Sequence, residues 1–225
     1  MKKNKRIAIL GDSLNMPRPD EGIEYENLYS FLLIKEGYHV INKSKRANDT
    51  NLQTKSQNLL DDIVFLRPNV LIVHLGIVDC APRIFRRYEQ KIINYLPLLL
   101  KKNIIKLCSK YRYFITKYRK ITYVNEKEFE ENLIKIIETA KDFVEKIIII
   151  KILNTSEENN KRSYGFYNNI LNYNKIIEKI SNKYDCIKII DPNLFEKKGL
   201  LSDGIHINKD LHQFLFEEIL KILKN

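Results

Sequence analysis

Three residues near opposite ends of the chain are of the types that make a nucleophile near neutral pH: Ser13, Asp203 and His206. A serine hydroxyl attacks poorly until a base takes its proton, and imidazole is the usual base at pH 7. A carboxylate on the other ring nitrogen fixes the tautomer and stabilises the imidazolium. Asp203 precedes His206 by three residues, so a single turn can set it against the ring. Ser13 follows Gly11-Asp12 directly after the apolar run Ile7-Ala8-Ile9-Leu10. A serine on such a strand-to-helix turn is exposed, near a helix N-terminus that favours negative charge.

The elements that must hold these residues read as alternating strands and helices. Arg6–Leu10, Tyr38–Asn42, Val70–Leu75, Ile147–Ile150 and Ile187–Ile190 are short apolar runs of strand length. Between them, helices are expected over Glu24–Glu36, Asn51–Leu66, Glu126–Val144 and Tyr167–Tyr184, with a terminal helix from Asn208 to Leu223. That alternation predicts an α/β domain, a central parallel sheet with helices on both faces. Ligands of such sheets bind beyond the carboxyl ends of the strands. Ser13 ends the first strand, Gly76 follows the third, and the last strand leads by a loop to Ser202-Asp203-Gly204-Ile205-His206. All three segments are expected on one rim.

The residues resemble the SGNH (GDSL) hydrolases. Gly11-Asp12-Ser13-Leu14 is similar to that family's first block, and Asp203-Gly204-Ile205-His206 to its last, about 190 residues apart. The resemblance runs over nearly the whole chain. It implies a flavodoxin-like three-layer fold, with Ser13 as nucleophile, His206 as base and Asp203 as the partner of His206. It also implies ester hydrolysis or O-acyl transfer through an acyl-enzyme, with no cofactor. The run Gly76-Ile77-Val78-Asp79-Cys80-Ala81-Pro82-Arg83 looks like a divergent branch often found beside surface-polysaccharide genes. A carbohydrate or glycolipid-related substrate carrying an O-acetyl group is therefore expected.

Two middle blocks depart from the family pattern. Where the family has Gly-x-Asn-Asp, with the Asn amide donating to the oxyanion, this chain has Gly76-Ile77-Val78-Asp79. The second block, where a glycine normally offers a backbone N–H, is nearest to Lys45-Arg46-Ala47-Asn48-Asp49. Ala47 and Ser13 keep their N–H groups, and Arg46, Asn48 and Arg83 are the candidate replacement donors. Losing one oxyanion donor costs about 3–4 kcal/mol, or about 10²–10³ in rate. A catalytically weak binding or assembly protein of a polysaccharide pathway is the alternative this departure raises.

The other candidates have plainer roles. Asp12 is expected as a hydrogen-bond acceptor within its turn, and Asp79 as an anchor for Arg83 or for the Ser13 loop. His74 reads as a core residue, His39 and His212 as ordinary surface or helix positions, and Cys80 as a packing thiol. No residue cluster has metal-ligand spacing, so no metal is expected, and neither G-x-G-x-x-G nor G-x-x-x-x-G-K-[ST] occurs.

Composition bounds the rest. The 225 residues are 44% apolar and 30% charged, with a mean hydropathy of −0.34. That is enough for a full core and excludes wholesale disorder. One domain over residues 1–225 is expected. No run of about 18 uncharged apolar residues occurs, and the apolar stretch after Lys2-Lys3-Asn4-Lys5-Arg6 is too short for a signal peptide. Cys80, Cys108 and Cys186 are odd in number and form no C-x-x-C pair, so neither a disulfide framework nor a zinc site is expected. A cytoplasmic location follows as the expectation.

The net charge of +11 is localised. Arg83–Lys120 holds twelve Lys/Arg against one acid, Glu89, and the remainder balances. A localised field steers a particular anion, while a diffuse one mainly affects solubility. The segment also carries an apolar run, Ile92-Ile93-Asn94-Tyr95-Leu96-Pro97-Leu98-Leu99-Leu100. It is expected as a helical insertion at about 83–120 whose apolar side packs on the domain or on a second copy in a homodimer. The other readings are a rim that meets an anionic substrate, a lipid-linked glycan or a membrane periphery. Single-stranded nucleic acid ranks last, because no nucleic-acid motif accompanies the charge.

Overall fold

The apolar runs become strands because each is a short, largely β-branched stretch of a length that crosses a sheet. In the computed structural model, which describes residues 5–224, the chain begins with β1 (Arg6–Gly11). Lys2, Lys3 and Asn4 of the basic start lie outside the described residues. There follow α1 (Tyr29–Lys35), β2 (His39–Asn42), α2 (Thr50–Gln53), α3 (Ser56–Leu59) and β3 (Val70–His74). Next come α4 (Ile77–Cys80), α5 (Arg87–Asn94), α6 (Leu98–Lys110), α7 (Arg112–Arg119) and α8 (Glu126–Ala140). The chain closes with β4 (Lys146–Ile150), α9 (Glu157–Arg162), α10 (Phe166–Ser181), β5 (Ile187–Ile190) and α11 (Lys209–Lys224).

All five strands are parallel, in the order β2-β1-β3-β4-β5. This is the flavodoxin-like order, whose ligand crevice opens where the strand order reverses, between β1 and β3. Right-handed crossovers that run one way for β1 to β2 and the other way for β3 to β4 to β5 place their helices on opposite faces. Accordingly α1 packs with α11 on one face, and α8 with α10 on the other. The central strands β1, β3 and β4 are almost wholly buried from Ile7, Val70 and Ile147 onward, and the edge strands keep exposed residues such as His39 and Lys188.

Two helices differ from the periodicity. The first is shorter than Glu24–Glu36 because Leu28 is extended (ψ 139°), which leaves a separate 3₁₀ turn at Tyr25–Asn27. The helix expected over Asn51–Leu66 breaks at Lys55 (ψ 137°) and ends in a π turn at Leu60–Val64. Asp49 caps α2 through the N–H of Leu52, and buried Gln53 donates to buried Asp62 across the break. Buried polar side chains without partners are costly, so this pairing overrides the apolar period.

Residues 83–120 form α5, α6 and α7, a helical excursion whose ends meet: Arg83 and Ile121 pair as an antiparallel bridge. Its apolar side packs on the domain only in part: Tyr113 meets the Tyr164 ring edge-on at 5.8 Å, and none of its apolar side chains is buried. Thr116 is the sole buried residue of this segment. No helix among the described residues is long and apolar enough to cross a membrane.

Candidate active site

The turn after β1 is built by Asp12. Its side chain accepts the Leu14 N–H at 2.8 Å and caps the 3₁₀ turn Ser13–Asn15, leaving Ser13 at the first position. His206 comes from the loop before α11, held by the Leu200–Ile207 bridge and by Leu201 N–H donating to the His206 carbonyl at 2.7 Å. Between them Gly204 takes φ +69°, and a Cβ there would lie 2.1 Å from Ser156 Oγ. Only glycine allows both the left-handed backbone and that approach.

The structure brings Ser13, His206 and Asp203 together. Ser13 Oγ lies 2.9 Å from His206 Nε2, and His206 Nδ1 lies 2.5 Å from Asp203 Oδ2. The other oxygen of Asp203 accepts the N–H groups of Ile205 (3.0 Å) and His206 (2.9 Å), so one turn orients the carboxylate. Partial burial raises the pKa of Asp203, but those two N–H groups and the ring outweigh it and hold the carboxyl below its usual range.

A fourth residue reaches the ring. Arg18 Nη1 lies 3.1 Å from His206 Nε2, its Nη2 is 3.6 Å from Asp203 Oδ2, and its Nε donates to Glu21 at 2.7 Å. A guanidinium can only donate, so Nε2 must offer its lone pair and the ring proton sits on Nδ1, facing Asp203. This is the tautomer in which Nε2 can accept the serine proton. The one local signal for Arg18 in the sequence is a proline on either side, Pro17 and Pro19, which restricts the backbone that carries it.

The strand register accounts for the position of Gly76. Gly11 pairs with His74, so Ser13 and Gly76 each lie two residues beyond paired strand ends. Gly76 starts α4 at φ +127°, and a Cβ on it would come 2.7 Å from Ile152. Val78, where the family has asparagine, is buried in α4. Ala47 lies in an exposed turn (φ +53°) tied to the end of β1 by Lys45 N–H donating to the Gly11 carbonyl at 3.2 Å.

Three expected side-chain roles need correction. Asn48 is buried, and its amide donates to the Gly11 carbonyl (3.1 Å) and to Gln53 Oε1 (3.0 Å), so it has no hydrogen left for an oxyanion. Arg83 donates to the Val78 carbonyl at 2.8 Å and stacks on Tyr123 at 4.2 Å, closing α4. Arg46 is exposed and makes no hydrogen bond or ion pair among the described residues. The arginine on the His206 ring is Arg18.

Asp79 is an anchor, though not for Arg83 or for the Ser13 loop. It accepts both the N–H (2.9 Å) and the hydroxyl (2.6 Å) of Thr50, fixing the start of α2. His74 is buried and meets the Tyr29 hydroxyl at 3.2 Å. His212 lies on α11 but is buried, and its Nδ1 accepts the Tyr29 N–H at 3.4 Å; an apolar helix face around it hid this from the sequence. His39 is exposed. Cys80 is buried, and burial together with the Asp79 charge pushes its thiol pKa well up. Among the described residues no group of three His, Cys, Asp or Glu side chains is arranged to hold a metal ion.

Buried groups under the site give opposing pH dependences. Burial, with the Asp79 charge adding, raises Asp12 from 3.8 to about 7. Burial, with the Asp49 charge adding, does the same for Asp79. Between those values the folded state binds more protons than the unfolded state, so both groups lower stability as pH rises. Burial depresses His74 from 6.5 to about 4 and His212 to about 3, so over that interval the unfolded state binds more protons and stability rises with pH. The two effects offset each other between about pH 4.5 and 6. Asp79→Asn, which can still accept from Thr50, should unmask the histidines. Thermal midpoints of the variant should then climb with pH over that range while those of the native chain stay nearly level. Parallel slopes would refute the assignment.

Comparison with solved structures places the chain in the SGNH-hydrolase fold. The lipase/acylhydrolase from Enterococcus faecalis matches with a TM-score of 0.67 at 15% identity, covering 98% of this chain and 95% of that one. The acetylxylan esterase Axe2 of Geobacillus stearothermophilus matches at 0.64 and 15% identity, covering 99% and 96%. It was also solved as catalytic mutants in which a serine or a histidine is replaced by alanine. TesA matches at 0.61 and 14% identity, covering 98% of each chain. No protein-family model and no curated protein sequence matches the chain.

Proposed function

We propose that this chain is a serine carboxylic-ester hydrolase, or closely related O-acyltransferase, that uses Ser13, His206 and Asp203 on O-acyl groups. The observation that carries the reading is the hydrogen-bonded series from Ser13 Oγ through the His206 ring to Asp203, on the rim where the strand order reverses. Ser13 Oγ bonds to the acyl carbon while its proton passes to His206 Nε2, whose lone pair Arg18 Nη1 must release for the transfer. The carbonyl oxygen becomes an oxyanion facing backbone N–H groups, for which those of Ser13, Ala47 and Gly76 are the candidates. Collapse expels the alcohol, which takes the proton from Nε2 and leaves an acyl-serine. Water or another hydroxyl then attacks the acyl carbon by the same steps in reverse and frees Ser13.

An O-acetylated carbohydrate is the substrate class this reading favours. A groove of about 700 Å³ has Ser202 and Gly204, the sequence neighbours of Asp203, in its wall, while Ser13, Asp203 and His206 themselves lie outside its lining. Asn154, Asn193 and Lys197 supply polar groups there and Phe195 an apolar ring, a mixture that suits hydroxyl-rich ligands with apolar faces. The acetylxylan esterase among the structural neighbours lends the acetyl group support.

A fluorophosphonate probe tests the activated serine without knowledge of the substrate. The probe should add one adduct, mapped by mass spectrometry to the Ser13 peptide. Acetate release from O-acetylated oligosaccharides should then exceed cleavage of long-chain aryl esters. A chain that stays unlabelled at Ser13 would turn the interpretation to the binding or assembly protein.

A further inference from the structure

In the excursion α5–α7 most arginines are engaged within the chain and most lysines are not; Arg86 is exposed, Lys101 donates to Asn94 and Lys117 lies over the Tyr164 ring. Arg83, Arg87, Arg112 and Arg119 spend their guanidinium groups on this chain: the Val78 carbonyl, Asp49, the Pro82 carbonyl and Glu89 respectively. Lys91, Lys102 and Lys106 are exposed and make no ion pair among the described residues. Lys102, Lys106 and Lys110 recur at every fourth position along α6, beside an exposed row that holds Leu99 and Leu107.

The apolar part is no less exposed. At the turn between α5 and α6, Tyr95 is 90% exposed, Leu98 65% and Leu99 78%. Leu107 on α6 is 60% exposed and Tyr118 on α7 82%. A monomer rarely leaves so much contiguous apolar surface without an occupant. Glu89, the sole acid of the segment, is already paired with Arg119. A second copy would therefore bring two cationic faces together with nothing to neutralise them. Leucines beside lysines instead match a phase that is apolar within and anionic at its surface, where lysine stems lie along the boundary and their ammonium groups meet headgroups.

We infer that α5–α7 docks on the surface of an anionic lipid bilayer, with the Tyr95–Leu99 turn seated among the headgroups and the lysines of α6 on the phosphates. The excursion leaves the sheet just after α4, at the carboxyl end of β3, and Arg112 fastens α7 to Pro82 and to Ser163. Docking therefore brings the rim that carries Ser13 toward the bilayer and confines the enzyme to acyl groups presented there. This inference stands on the surface and not on the serine chemistry, so either can fail without the other.

Sedimentation of the full chain with vesicles tests it. The protein should pellet with vesicles containing phosphatidylglycerol, remain in solution with phosphatidylcholine alone, and be released as salt shortens the screening length toward about 8 Å. Replacing Lys102, Lys106 and Lys110 by glutamine should weaken binding at least about tenfold. Leu98→Ser with Leu99→Ser should weaken it through the apolar part, with cleavage of a soluble aryl ester unchanged in both variants. Equal binding to both vesicle types, or none at low salt, would overturn the inference. So would a dimer in analytical ultracentrifugation that the leucine variant dissociates.

Discussion

Ser13→Ala should remove ester turnover almost completely, lowering kcat for a short aryl ester by about 10⁴–10⁶. The alanine leaves His206 and Asp203 in place but deletes the atom that must bond to the acyl carbon, so no acyl-enzyme forms. Stability should change little, because the serine side chain is only part-buried and makes one side-chain hydrogen bond, to the ring. Steady-state rates and thermal midpoints, measured side by side, separate loss of chemistry from loss of fold. Turnover within about tenfold of the native rate would remove Ser13 from the mechanism.

Asp203→Asn should lower kcat by about 10⁴ with KM nearly constant. The asparagine oxygen can still accept the N–H groups of Ile205 and His206, so the turn survives. Its amide, however, would donate to Nδ1 and drive the ring proton to Nε2. The ring would then have no lone pair for the serine, and Arg18, 3.1 Å from Nε2, would face a hydrogen in place of an acceptor. An effect smaller than about tenfold would mean that the ring is oriented by something other than Asp203.

The strands, their parallel arrangement and the common rim of Ser13 and His206 were legible because each rests on a local pattern. A short apolar run is a strand wherever it lies in the chain, and a carboxylate three residues before a histidine needs one turn to reach it. What stayed hidden depends on partners distant in sequence. Asn48 and Gln53 hold each other, but nothing in the sequence says that the Asn48 amide also turns inward to Gly11. Thr50 on Asp79, Tyr29 between His74 and His212, and Arg18 on His206 are likewise meetings made by packing alone. Arg46 and Arg83 were plausible as site residues because their charge and position were right; where a long side chain points is not encoded in either.

The bridge between Arg83 and Ile121 has a consequence for how the molecule is assembled. Because the two ends of the excursion meet, the sheet and its covering helices are continuous without it, and folding of the α/β frame need not wait for α5–α7. With Thr116 alone buried inside it, the excursion adds little to the core and draws little from it. Such a segment can lengthen, shorten or change sequence over evolutionary time with small effect on the geometry around Ser13. The frame and the excursion are thus separable inheritances, and what the chain meets can drift while the arrangement of Ser13, His206 and Asp203 is kept.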